Sequence, residues 1–339
     1  MFQQLIADAV ALRQRSPRAH LPAAFVHLGL FWIVSTTTSS AATAANSWSV
    51  IRDKDGGSIQ IRLHEKSFAT YTYRDLAISR PYFSNIYASN GTKITRNHPP
   101  AVNDPQDHEK LHPGMWLAFG DLSGADSWRL AAPVEHVRFV ADPTAKDDTL
   151  EFTVENKYLA ADRKQEICRE NCHYTLLALP NGVLVDWDSE FHSSEHGFVF
   201  GDQQELGLGV RLAKPIAVKS GQGGRILNSN GQTNEKEAWG QRADGCDYSG
   251  IIDDRFIGIL LMPHPENVRR SRCHSRDSGF MAMNPFADSA FIGGGKSSTT
   301  VPQGRSFRLR YGVLFHWNTR PDDFDPQREF NRYTKHFVE

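Results

Sequence analysis

Residues 107–128 read DHEKLHPGMWLAFGDLSGADSW. His108 and His112 stand four apart, among acids, with tryptophans at 116 and 128. Imidazoles titrate near neutrality and carboxylates accept protons, so the run suits proton transfer. Indoles beside glycines suit stacking on the apolar face of a sugar, with the ring N–H as a polar handle. On a helix, histidines at i and i+4 would share a face and could hold zinc. Asp104-Pro105 before them and Pro113-Gly114 after them oppose a long helix, so neither a metal nor a cofactor is expected. Histidines hydrogen-bonded within a structured loop are the plainer alternative.

Three other stretches break the apolar pattern in the same way. In GDQQELGLGVRLA (201–213), Glu205, Gly207, Gly209 and Arg211 fall at alternate positions. A regular strand would put all four on one face, leaving an open trough between an acid and a base. A buried Glu–Arg pair is the other reading. EAWGQRADGCDYSG (237–250) supplies Trp239, and HPENVRRSRCHSRDSGFMAMNPF (264–286) supplies His264, His274, Arg276 and Asp277. His274 and Arg276 share strand parity, which suits a carboxylate, a sulfate or a sugar hydroxyl. The expected catalytic set is His108, His112, Asp121, Glu205 and His264. The expected binding set is Arg80, Trp116, Arg211, Trp239, His274, Arg276 and Asp277. No nucleophile elbow, phosphate loop or dinucleotide fingerprint is present.

These residues need a scaffold of strands. SIQIRL (58–63), SFATYTY (67–73), HVRFVA (136–141) and TLEFTVENKYL (149–159) alternate or are β-rich. CHYTLLALPNGVLVDWDSEF (172–191) predicts two strands around Pro180-Asn181-Gly182. FIGILLM (256–262) and SFRLRYGVLFHW (306–317) predict two more. The best helix candidate is DPQREFNRYTKHF (325–337), capped by Asp325. Many strands and few helices predict an all-β fold, a large antiparallel β-sandwich.

A net charge of −1 with 23% charged residues argues against a nucleic-acid partner. The first 45 residues have the layout of a secretory signal: a basic lead, the apolar run LPAAFVHLGLFWIV, then small residues up to Ala45. Cleavage there takes 45 residues from 339 and leaves 294, expected as one domain over 46–339, exported to the periplasm or beyond. No later run is apolar enough for a helical membrane span, so no insertion is expected after cleavage. Four cysteines at 168, 172, 246 and 273 allow three pairings, and Cys168 with Cys172 on one strand lie too far apart to bridge.

RPYF, DHEKLHPGMWLAFGD, GDQQELGLGVRLA, CDYSG, NPF and YGVLFHW occur in an order that resembles the PmoA-like family of exported bacterial proteins, over about residues 50–335. Members more often carry DHPHH where this chain has DHEKLH. The family's name implies a methane oxygenase subunit, a protein with many membrane spans, and such activity is not expected for a chain without them. The resemblance implies the supersandwich of galactose-mutarotase-like proteins, and hence a carbohydrate substrate. A glycoside hydrolase would need two carboxylates, one with a raised pKa. A lyase would need a base such as His108 or His112 and an arginine to neutralise a uronate. A mutarotase-type epimerase would pair Glu205 with a histidine. A non-catalytic glycan-binding protein needs only the tryptophans and arginines. The sequence leaves these readings, and the oligomeric state, open.

Overall fold

The computed structural model describes residues 47–337; the expected signal peptide at 1–45 lies outside the described residues. Eighteen strands build two eight-stranded antiparallel sheets and one two-stranded ribbon. The first sheet contains β1 (Trp48–Arg52), β2 (Ser58–Leu63), β3 (Lys66–Thr72), β4 (Tyr82–Ser84), β5 (Met115–Phe119), β11 (Leu206–Arg211), β16 (Phe280–Asn284) and β15 (Arg272–Arg276), in that spatial order. The second contains β12 (Arg225–Asn228), β13 (Cys246–Ile252), β14 (Arg255–Pro263), β18 (Ser306–Asn318), β9 (Gly182–His192), β8 (Glu166–Leu179), β7 (Thr149–Leu159) and β6 (Val134–Lys146). The ribbon pairs β10 (Phe198–Phe200) with β17 (Thr299–Val301). This is the all-β sandwich the alternation predicts.

Period-two patterning decides which side chains face the core. Ile59 and Ile61 of β2, Leu150, Phe152 and Val154 of β7, and Val183, Val185 and Trp187 of β9 join one buried cluster between the sheets. Pro180 and Asn181 form the two-residue turn between β8 and β9, pairing Leu179 with Gly182. The predicted terminal helix is α3 (Pro326–Phe337). Its fully buried Tyr333 packs with Leu184, Leu260 and Leu314 on the outer face of the second sheet. Two short helices, α1 (Asn234–Ala238) and α2 (Ser289–Ile292), complete the regular structure besides three 3-10 turns. All four cysteines are buried and free. Among the described residues no helix is long and apolar enough to cross a membrane.

The outer face of the first sheet matters most for function. Met115, Leu117 and Phe119 of β5 point into the core, so Trp116 and Ala118 point outward. The register aligns Trp116 with Gly209, Gly209 with Ala282, and Ala282 with His274. The next row aligns Arg211 with Phe280 and Phe280 with Arg276. One row of outward side chains thus crosses four strands and the next crosses three, drawing on β5, β11 and the β15–β16 hairpin, which are far apart in sequence.

Candidate active site

A cavity of about 250 Å³ lies over these rows, bounded by residues 107–112, Trp128 and Arg129, Glu205 and Arg211, and the β15–β16 hairpin. Its floor is aromatic. Gly209 leaves room for the Trp116 indole: a Cβ there would stand 2.8 Å from the Trp116 ring and 3.1 Å from that of Trp128. His112 stacks on Trp116 (ring centroids 4.9 Å apart) and on Phe280 (4.8 Å). His108 stacks on the other side of His112 at 4.7 Å, with the planes 16° apart. One helical turn, closed by the His112 N–H donating to the His108 carbonyl at 2.9 Å, brings the two imidazoles together. The prolines and glycine flanking it keep the turn from growing into a helix.

Two buried arginines hold the walls. Arg96 donates to the carbonyls of Pro105 (2.9 Å), Asp107 (2.6 Å), His108 (3.3 Å) and His112 (3.0 Å). Arg80 donates to the carbonyls of Ser127 and Trp128, both at 2.9 Å, and to that of Leu111. Its guanidinium also lies 5.6 Å from the Trp116 ring centre. The planar fork of arginine suits several carbonyls at once, which lysine cannot match.

Arg211 emerges from β11 almost wholly buried and donates through Nη2 to both oxygens of Asp107, at 2.7 and 3.0 Å. The second Asp107 oxygen also meets His108 Nδ1 at 3.0 Å. Partial burial pushes the Asp107 carboxyl up, but the His108 hydrogen bond and the charges of Arg211 and Arg96 outweigh it and hold it below the usual range. Glu205 pairs with Arg129 at 2.8 Å. Arg276 pairs with Glu235 at 2.8 Å and lies over the Trp239 ring.

Both inner histidines are neutral. Burial, followed by the charges of Arg211, His108, Arg80 and Arg96, drives His112 well below the ordinary imidazole range. Burial and then Arg276 bring His274 down to about 4. His274 Nδ1 sits 3.1 Å from the Gln204 carbonyl, which only accepts, so Nδ1 carries the proton and Nε2 keeps its lone pair.

The structure gathers His108, His112, Glu205, Arg211, His274 and Arg276 around this one cavity. Others stand elsewhere. Trp116 is fully buried beneath His112 and offers no face to a ligand. Arg80 lies behind the wall it braces. Trp239 borders the site only through Arg276, its ring packed on Phe291. Asp121 accepts from the Gly124 N–H at 3.0 Å and shapes a turn outside the cavity. Asp277 accepts from the Glu235 N–H at 2.8 Å, anchoring α1. His264 belongs to the second sheet, where it meets Arg310 at 3.3 Å and Tyr333. Glu205 and Arg211 neither pair nor share a regular strand face. Glu205 precedes β11, and Gly207 breaks the alternation with φ +104°, its position closed against the Met283 carbonyl. Sequence reasoning missed Asp107, Arg129 and Phe280 as site residues. Asp107 and Arg129 adjoin candidates it did single out, but nothing local marks which neighbour turns toward the cavity.

A profile of a family of unknown function, DUF6807, matches residues 58–325, and the chain belongs to that family. No curated protein matches the chain. Among solved structures it is similar to a galactose mutarotase-like protein from Lactobacillus casei, with 12% identity and a TM-score of 0.37 over 79% of this chain and 100% of that one. It is also similar to a glycoside hydrolase family 97 enzyme variant from Pseudoalteromonas, with 9% identity and a TM-score of 0.36 over 80% of this chain and 36% of that one. The galactosidase domain of an α-galactosidase–sucrose kinase gives 7% identity and a TM-score of 0.41, over 80% of this chain and 42% of that one. At such identities the chemistry has to be argued from this chain's own residues.

Proposed function

We propose that the cavity carries out proton-transfer chemistry on a sugar, with His108 as the base. The observation that carries this reading is the relay Arg211–Asp107–His108, with contacts of 2.7 and 3.0 Å. A carboxylate on Nδ1 fixes the tautomer and leaves the Nε2 lone pair free to take a proton. His108 is the most exposed member of the relay, with 53% of its side chain open to solvent. Neutral His274 adds a second lone pair, and Arg211, Arg129 and Arg276 can stabilise developing negative charge.

Proton abstraction, as in a lyase or an epimerase, fits these residues better than hydrolysis. Hydrolysis of the usual kind needs a carboxylic acid kept protonated for the leaving group. The cavity's two carboxylates, Asp107 and Glu205, are both ion-paired to arginines and act as acceptors. The layout of residues 1–45 supports action outside the cytoplasm, as the PmoA-like resemblance does.

The test incubates residues 46–339 with oligosaccharides in heavy water and follows mass, ultraviolet absorbance and deuterium on carbon. Unsaturated products, carbon-bound deuterium or accelerated interconversion of anomers seen by NMR are expected, with a loss of roughly 100-fold or more in His108→Ala. Products that gain water without any of these signatures move the protein to the hydrolases. Sugar binding without any turnover makes it a glycan-binding protein.

A further inference from the structure

The charge beneath the cavity is one-sided. Arg80, Arg96 and Arg211 are 2%, 1% and 1% exposed. Among the described residues, Asp107 is the one carboxylate within ion-pair distance of any of them, 2.7 Å from Arg211 and 3.8 Å from Arg96. Its side chain is itself 44% exposed. Asp104, Glu109 and Asp126 act on Arg96 and Arg80 from longer range and from partly or fully exposed positions. Carbonyl oxygens accept from the terminal nitrogens of Arg80 and Arg96, whose Nε groups stay unpartnered, and do not cancel their charge. Burying a cation without a counter-charge is costly, and an anion seated nearby offsets that cost.

The arginine that reaches the cavity is also the least satisfied. Arg211 spends Nη2 on Asp107, and its Nε is buried without a partner. Nη1 has no protein partner among the described residues, and the side chain lines the cavity. Arg129 and Arg276 stand on other sides, 43% and 38% exposed. Arg129 is held by Asp126 and Glu205, and Arg276 by Glu235. Burial first, and then the charges of Arg211, Arg80 and Arg96, lower the pKa of the His112 imidazole, in keeping with that field.

The space is small. About 250 Å³ falls below the ~300–1,000 Å³ usual for drug-sized ligands, so the closed part holds about one sugar ring. We propose that this cavity selects a sugar unit bearing an anionic substituent, held against Arg211 with Arg129 and Arg276 at the sides. A carboxylate, as in a uronic acid, is the group whose two oxygens match a guanidinium fork; sulfate and phosphate esters share the chemistry. The proposal rests on the carbohydrate reading above and adds the class of sugar.

The experiment titrates residues 46–339 by calorimetry with methyl glucuronide, methyl glucoside, glucose 6-phosphate and acetate. The glucuronide should bind about tenfold or more tightly than the glucoside, the equivalent of one charge-assisted hydrogen bond. Added salt should shrink that advantage, and so should Arg276→Gln, a half-exposed position, with its fold checked by thermal melting. Arg211→Lys, checked by thermal melting, should lower the advantage further. A preference for the phosphate ester upholds the anionic class and changes its substituent. Equal affinity for glucuronide and glucoside, or a tighter glucoside, overturns the proposal and leaves the carbohydrate reading standing. Acetate binding as tightly as the glucuronide overturns the carbohydrate reading while keeping an anion site. No binding by any of the four overturns both.

Discussion

Arg211 and Asp107 lie 104 residues apart in the chain, yet the guanidinium of one reaches the carboxylate of the other at 2.7 Å. The pair joins β11, an inner strand of the first sheet, to the loop that carries both histidines. It sets the orientation of His108 and part of the field felt by His112.

Asp107→Asn tests that pair. It keeps the shape but removes the counter-charge of a buried arginine. The loss should be about 2 kcal/mol, under the ~3–5 kcal/mol of fully buried pairs because Asp107 is 44% exposed. The wild type should also lose this contribution in acid. Its folded pKa is depressed, so the stabilisation is present above the unfolded value near ~3.9 and vanishes as pH falls through the folded one. Urea unfolding of both proteins from neutral to acid pH reads both effects; identical curves would remove the pair's structural role.

Gly209→Ala probes the aromatic floor. The new methyl would stand 2.8 Å from the Trp116 ring. Moving a packed indole of this kind should destabilise by about 1–3 kcal/mol. Tryptophan fluorescence should shift with it, because Trp116 carries His112 on its face. An unchanged spectrum and melting point would show that the floor yields freely.

Buried Glu170 offers a stability test away from the cavity. Burial raises its pKa, opposed by donors from Ser189, Asn156 and Tyr158. No cation lies within ion-pair distance among the described residues. With the folded pKa raised, its contribution is full below the unfolded value and is lost as pH rises through the folded one. Glu170→Gln should therefore gain on the wild type as pH rises, by about 1.4 kcal/mol for each unit of displacement. Thermal melts across acid to neutral pH measure this; a gap that stays constant with pH would contradict it.

The neutral histidines predict acid sensitivity. His274 and His136 are both pulled down to about 4, chiefly by burial, and His112 is lowered further than the ordinary range. The unfolded chain takes up protons near ~6.5 while these folded sites do not. Stability should hold above that pH, fall below it, and keep falling to about 4. His274→Gln should flatten the slope by up to about 1.4 kcal/mol per pH unit in that window. An unaltered slope would mean that His274 is not a contributor.

The strands were legible because alternation is local. Thr149–Leu159 appears at its predicted bounds, and the Pro180–Asn181 turn and terminal helix appear where turn and cap residues mark them. Six candidate residues meet at one cavity for a related reason: costly polar groups in loops tend to collect where a sheet face is left open. The exceptions have physical causes. Trp116 looks like a stacking platform until Gly209, 93 positions later, is seen to take its ring. His264 shares a stretch with His274, but Pro263 ends β14 in one sheet while Arg272 begins β15 in the other.

The residue pattern by itself determined an all-β chain with a short list of residues able to bind and move protons. Each of those properties belongs to a side chain or its near neighbours. The tertiary structure decided which of them act together. Register between β5, β11, β16 and β15 aligns Trp116, Gly209, Ala282 and His274, and places Arg211 opposite Phe280. That register is set by packing of the opposite face against the core, and slipping one residue would turn the whole row inward. No local signal could carry it, because the partners are contributed by separate parts of the chain and meet only when the sandwich closes.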